Sequence, residues 1–289
     1  MESLRSALTF LLPWEFSPWM LVLCAGAVVL YTRGLRRTPE RIGVARPLAF
    51  YIGVVLIYFV TQTRYDYLAQ HMFFVHRLQH LVLHHLGPFL VAISWPQAVL
   101  ARGLPDGFAE RWLQPVWRHP AVRSVYRVLQ HPLVAPTLFV GLIYFWLTPA
   151  IHFDAMLNER LYWTMNWSML LDGLPFWFLM LDPRTREQGA LIAIGPRMAI
   201  QWIVILPQIA IGAYIVMAHH DLYDVYSICG RAWAEDPLTD QELGGLITWI
   251  PAGMMHLIGF LVLMRFWMRT DKGRIPVAES AALAHPVQE

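Results

Sequence analysis

Residues 71–88 read HMFFVHRLQHLVLHHLGP, five histidines and one arginine set into a largely apolar run. On a helix, side chains four apart lie one above the other on a single face. His76 and His80 therefore share a face, with Met72 one turn before them and His84 one turn beyond. At about 1.5 Å per residue, His76 sits roughly 9 Å and His80 roughly 15 Å from an entrance marked by His71. Neighbouring His85 is expected to point away from His76, toward another surface.

Working outward, the run extends over 71–96 and is one of seven. The others are 17–35, 48–63, 132–150, 160–181, 190–218 and 243–268. Each approaches or exceeds the roughly 20 residues that cross a hydrocarbon core. Hydrophobic residues make up 57% of the chain and charged residues 15%, against roughly 25% charged in soluble domains. Trp14, Trp19, Trp95, Trp146, Trp163, Trp249 and Trp267 fall near run ends, as an interfacial belt requires. The reading is all-α: a polytopic membrane protein over 1–274, one bundle of seven transmembrane helices, with a disordered cytoplasmic tail at 275–289. Because Lys272 is the single lysine and follows the last run, a buried retinal Schiff base is excluded.

Basic residues set the orientation, since short loops rich in Arg and Lys stay inside. Arg33, Arg36, Arg37, Arg41 and Arg46 share one loop, and Arg102, Arg111, Arg118, Arg123 and Arg127 another. Arg184, Arg186 and Arg197 fall in a third, and Arg265, Arg269, Lys272 and Arg274 end the chain. The alternate loops carry only Arg64, Arg160 and Arg231, and the last of them is acidic. The N-terminus is expected outside and the C-terminus in the cytoplasm of a bacterium, placing the chain in its plasma (inner) membrane. The opening MESLRSALTFLLPWEF lacks the pattern of a cleavable signal. A formal net charge of +2 without a basic, aromatic-interleaved face gives no reason to expect nucleic acid.

The chemistry is in the third run. An i, i+4 imidazole pair can hold one ion from a single helix. Imidazole suits copper, zinc or iron, whereas a thioether such as Met72 favours reduced copper. Ionisable groups inside spans usually face a bundle interior and mark a site or pathway. His76 and His80 are the leading metal ligands, with His71, Met72, His152, His219 and His220 as further candidates on the outer side. His256 and Asp172 could orient a ligand by hydrogen bonding. Arg77 needs a partner within the bundle, which Asp66 or Asp240 could supply. Cys24 and Cys229 form no CxxC pair. The 97–131 loop contains an amphipathic stretch suited to a membrane surface.

Two segments resemble those of the Caa3/CtaG family, the membrane assembly factors of cytochrome c oxidase. One is HRLQHLVLHHLGPFLVAISWP. The other is LYDVYSICGRAWAEDPLTDQELGGLITWIPAG, which includes Tyr223, Tyr226, Asp240, Gln241, Trp249 and Pro251. The resemblance implies a non-enzymatic protein that aids copper delivery to the oxidase, with His76 and His80 as ligands. Asp240 and Gln241 would fix the outer loop to the seventh span. Cytochrome c oxidase subunits and a periplasmic copper donor are the implied partners, with lipid around the bundle. The chain departs from the family pattern at Leu147 and Asn166, where that pattern commonly has histidine.

The alternative is a permease for copper or another small solute, requiring a polar path from His76 through His84 to the inner face. A membrane cytochrome or quinone enzyme would instead need His80 or His84 opposite His256 at matching depth.

Overall fold

The computed structural model describes residues 9–39 and 42–271. The tail at 275–289, Arg41, Lys272, Arg274 and the first eight residues lie outside the described residues. Among the described residues, all regular structure is helical.

Ser17 caps α1 (Pro18–Arg37) through the amide of Met20, and Pro18 suits the first helical position. Then come α2 (Ala45–Gln62), α3 (Arg64–His71) and α4 (Phe73–His80). A π-helical stretch, Leu81–Leu86, leads into α5 (Gly87–Ser94). Short helices follow on one end: α6 (Gln97–Gly103), α7 (Gln114–Arg118) and α8 (Pro120–Leu129). No residue of α8 is buried, in keeping with the amphipathic pattern of that loop. The chain continues through α9 (Val134–Leu147), α10 (Pro149–Leu157), α11 (Glu159–Met180), α12 (Ile194–Met217), α13 (Val225–Cys229) and α14 (Pro237–Asp271).

Four helices among the described residues are long and apolar enough to cross a membrane: α1, α2, α12 and α14. The pair α8 and α9, bent by 71°, would make a fifth. This is a multi-pass membrane protein. The remaining expected runs depart from simple spans for physical reasons. The third is broken, because Met72 is extended (φ −142°, ψ 124°) and the π stretch interrupts the rest. The fifth forms one 22-residue helix, α11, whose Asn166, Ser168 and Asp172 dilute its hydropathy. Pro175, Pro207 and Pro251 all lie within helices that continue past them.

Between membrane helices there is little hydrophobic driving force, so close backbone approach carries the packing. At the contact of α1 with α6, a Cβ on Gly34 would fall 1.8 Å from the Val99 carbonyl oxygen, and one on Gly103 would fall 1.9 Å from that of Leu30. Gly173 of α11 presses on the π stretch, where a Cβ would stand 2.6 Å from the His84 carbonyl oxygen. That oxygen also accepts the Trp177 indole N–H at 3.1 Å. Two apolar clusters flank the centre, one built on Phe73, Met165 and Tyr223, the other on Phe139, Phe176 and Trp177.

Candidate functional site

The fold brings six histidines into the bundle with almost no exposure: His76, His80, His84, His85, His152 and His256. They divide into two trios, His76, His80 and His152 against His84, His85 and His256, named outer and inner after the orientation expected from the sequence.

The outer trio depends on how α4 begins. Since Met72 offers no side-chain cap, the orphan amides of a helix start need other acceptors. Asp240, from the first turn of α14, supplies them: its carboxylate accepts the amides of Phe73 at 3.1 Å and Phe74 at 2.9 Å. It also accepts the Arg231 guanidinium at 3.1 Å. Gln241 beside it accepts the Leu222 amide at 2.7 Å and donates toward the carbonyls of Ile215, Ala218 and His220. These contacts tie the end of α12 and the following loop to α14, and they hold α4 in place.

On α4 the rings of His76 and His80 lie 4.3 Å apart, and His152 from α10 comes within 5.2 Å of His76. Hydrogen bonds decide which nitrogens are free. Arg77 can only donate, so its 3.2 Å contact makes His80 Nδ1 an acceptor. His80 Nε2–H then donates to Asn166 Oδ1 at 3.2 Å. His152 Nδ1–H donates to the Trp146 carbonyl at 3.0 Å, leaving Nε2 to accept the Tyr226 hydroxyl at 3.0 Å. His76 differs. Neither of its ring nitrogens makes a hydrogen bond of ordinary geometry, and a marginal contact with the Ala69 backbone is what reaches it. A fully buried, unpaired imidazole is costly and calls for an explanation.

The inner trio is organised by Gln208 of α12. Its amide nitrogen donates to the Val204 carbonyl at 3.2 Å and to His256 Nε2 at 3.0 Å. The amide oxygen consequently faces His85 and accepts its Nε2–H at 3.2 Å. His256 Nδ1–H donates to Gln201 Oε1 at 2.6 Å. His84 donates Nε2–H to the Asp172 carboxylate at 3.1 Å. The Nδ1 atoms of both His84 and His85 are buried without a partner.

Arg77 meets neither carboxylate proposed for it. Its guanidinium bonds Thr248 Oγ1 at 3.1 Å and His80, because Asp240 is committed to Arg231 and the α4 amides. Asp66 serves a different hub, accepting from Gln79 at 2.7 Å, Tyr162 at 2.7 Å and Gln70 at 3.0 Å. Burial pushes its carboxyl up to about 6, against the pull of those donors.

Four candidates lie apart from the trios. His71 packs on Tyr67 and bonds its carbonyl. Met72 joins a small apolar group with Ala69 and Val75. His219 and His220 are exposed. Trp249 fills the notch at Gly212, its indole nitrogen unpaired. Cys24 is buried and Cys229 exposed, both free. Sequence reasoning passed over Gln201 and Gln208. Their signal was two amides seven residues apart, on one face of an otherwise apolar helix.

Among the described residues, no three His, Cys, Asp or Glu side chains gather closely enough to cage an ion. The donors come in pairs.

The chain matches, over residues 29–270, a family described as the cytochrome c oxidase caa3 assembly factor. It is 28% identical over 288 residues to an uncharacterized protein of Mycobacterium leprae, covering 93% of this chain and 41% of that relative. An uncharacterized Mycobacterium bovis protein is 27% identical over 286 residues, covering 90% of this chain and 40% of its own length. The chain thus spans about two-fifths of the length of these relatives. No solved structure matches it.

Proposed function

This chain belongs to the cytochrome c oxidase caa3 assembly-factor family, and from that membership we propose that it holds copper at buried imidazoles and passes it to a haem-copper oxidase. The observation that carries the reading is His76: fully buried, both nitrogens unpaired, 4.3 Å in ring separation from His80. A reduced copper ion would give His76 its missing partner and recruit His80 once Arg77 shifts aside. Ligands already engaged elsewhere suit a site that must also let go. In this reading the seven runs span a bacterial inner membrane with the N-terminus outside, and the outer trio opens to the periplasm. The partners are cytochrome c oxidase subunits and a soluble copper donor. The role is delivery, not catalysis.

A permease would use the same line of polar side chains, which runs from His76 to Gln201. One turn before Gln201, however, stands Arg197, fully buried. Its guanidinium is held by the carbonyls of Met180, Asp182 and Arg184. A fixed buried cation opposes the passage of another, so delivery is favoured over passage.

Deleting the gene should lower assembled, active oxidase while its subunits are still synthesised, and added copper should partly restore it. Full oxidase activity in the deletion strain at low copper would overturn the assignment. Purified under reducing conditions, the His76→Ala/His80→Ala double variant should retain about one copper per chain fewer than wild type. Equal retention would dismiss the outer trio as the holding site.

A further inference from the structure

We propose that His84 and His85 form a second, inner site for a soft monovalent cation of the copper(I) class, one step beyond the outer trio. The choice of cargo rests on the copper reading above, but the site itself stands on separate residues.

Both histidines lie in the π-helical stretch, a distortion frequent at functional positions. Adjacent residues do not face each other on a regular α-helix. Here the two rings are 5.1 Å apart and nearly perpendicular. With metal–nitrogen bonds of about 2 Å, one ion can bridge rings at this separation.

The outer edges of both rings are anchored. Asp172 takes the Nε2–H of His84, and Gln208 takes that of His85. In metal sites the ligating imidazole almost always donates its other N–H to a carboxylate or carbonyl, which fixes tautomer and orientation. Both rings satisfy that condition, and both present an unpaired Nδ1 lone pair within the protein. Phe139 stacks on His84 at 3.9 Å and meets His85 at 5.0 Å, so an aromatic ring packs against both imidazoles.

A route from the outer trio opens once Arg77 swings aside, the same shift that frees His80. Arg77, His80, His85, Met169 and Thr248 line a small void between the two trios, about one water in size. The Met169 thioether is the kind of soft donor that reduced copper prefers. An ion released by His80 would meet Met169 and His85 next.

The test uses the full chain in detergent and silver(I), a redox-inert substitute for copper(I). Wild type should bind about two silver ions per chain, one for each imidazole pair. The His84→Ala/His85→Ala variant should bind one fewer and keep the outer site. Asp172→Asn, which preserves shape, should weaken the inner equivalent by about tenfold. In histidine-labelled protein, silver should displace the 15N resonances of His84 and His85 Nδ1, a response that a purely structural role would not produce. If the His84→Ala/His85→Ala variant binds as much as wild type, or if silver leaves those resonances in place, the inner site is refuted. If the double variant fails to fold, Asp172→Asn and the resonances decide alone. Should His76→Ala/His80→Ala lose nothing while the inner variants do, the outer assignment falls and the inner one stands.

Discussion

Arg77→Met should bind monovalent metal more tightly than wild type, by roughly fiftyfold, and release it more slowly. In the native protein the guanidinium occupies the lone pair of His80 and brings a unit charge into the outer trio. With about 7 Å between an ion and the guanidinium once Arg77 has moved off His80, and an effective dielectric near 20, the repulsion is about 2.4 kcal/mol. That figure corresponds to the fiftyfold change. Methionine fills similar volume and frees His80 Nδ1. Thr248 loses nothing essential, since its hydroxyl already donates to the Gly244 carbonyl at 2.8 Å. The variant should fold at least as well, because replacing a buried charge by a well-packed apolar side chain is often neutral or stabilising. Chelator competition measures both affinity and release. A folded Arg77→Met protein with unchanged or weaker retention would show that the arginine does not regulate the site. In cells the variant should hoard copper and deliver less of it.

The second large effect is expected at a residue that touches no imidazole. Asp240→Ala removes the acceptor for two amides at the start of α4 and the shorter of the two carboxylate contacts of Arg231, which keeps Asp221 at 3.8 Å and Ser227 at 2.7 Å. Each lost cap costs about 1 kcal/mol, and the lost charge-assisted hydrogen bond to Arg231 adds about 1.5–3 kcal/mol. For a chain of this size the melting midpoint should fall by about 10 °C or more. Metal retention should fall with it, because α4 carries His76 and His80. Asp240→Asn keeps an oxygen for the amides but loses the charge, so it should lie between. A melting curve for Asp240→Ala that superimposes on wild type would mean the cap contributes nothing.

Part of this was readable from the chain. The His76–His80 spacing is a property of any α-helix, and the apolar runs declare a membrane protein whatever their packing. Other features were not readable, for identifiable reasons. His85 was expected to point away from His76; that it meets Gln208 of α12 and His256 of α14 depends on tertiary packing that its own run does not encode. The partner of Arg77 was sought among carboxylates, as charge balance suggests. The fold spends Asp240 on helix amides and Asp66 on Gln79 and Tyr162 instead. Asn166, where the resemblance leads one to expect histidine, faces His80 and accepts a hydrogen bond from its Nε2–H. Only the tertiary pairing of α4 with α11 reveals that contact.

The pinned tautomers have an electrical consequence. At the inner pair every N–H is already committed to Asp172 or Gln208, and the lone pairs point inward without protons to shed. Loading there would exchange nothing: each ion would arrive with its whole charge and give none back. Occupancy would therefore be electrogenic, tilted by the membrane potential at up to about 2.3 kcal/mol per 100 mV for a full crossing of the field. A respiring membrane, by sustaining its voltage, would help fill the protein that equips its own oxidase.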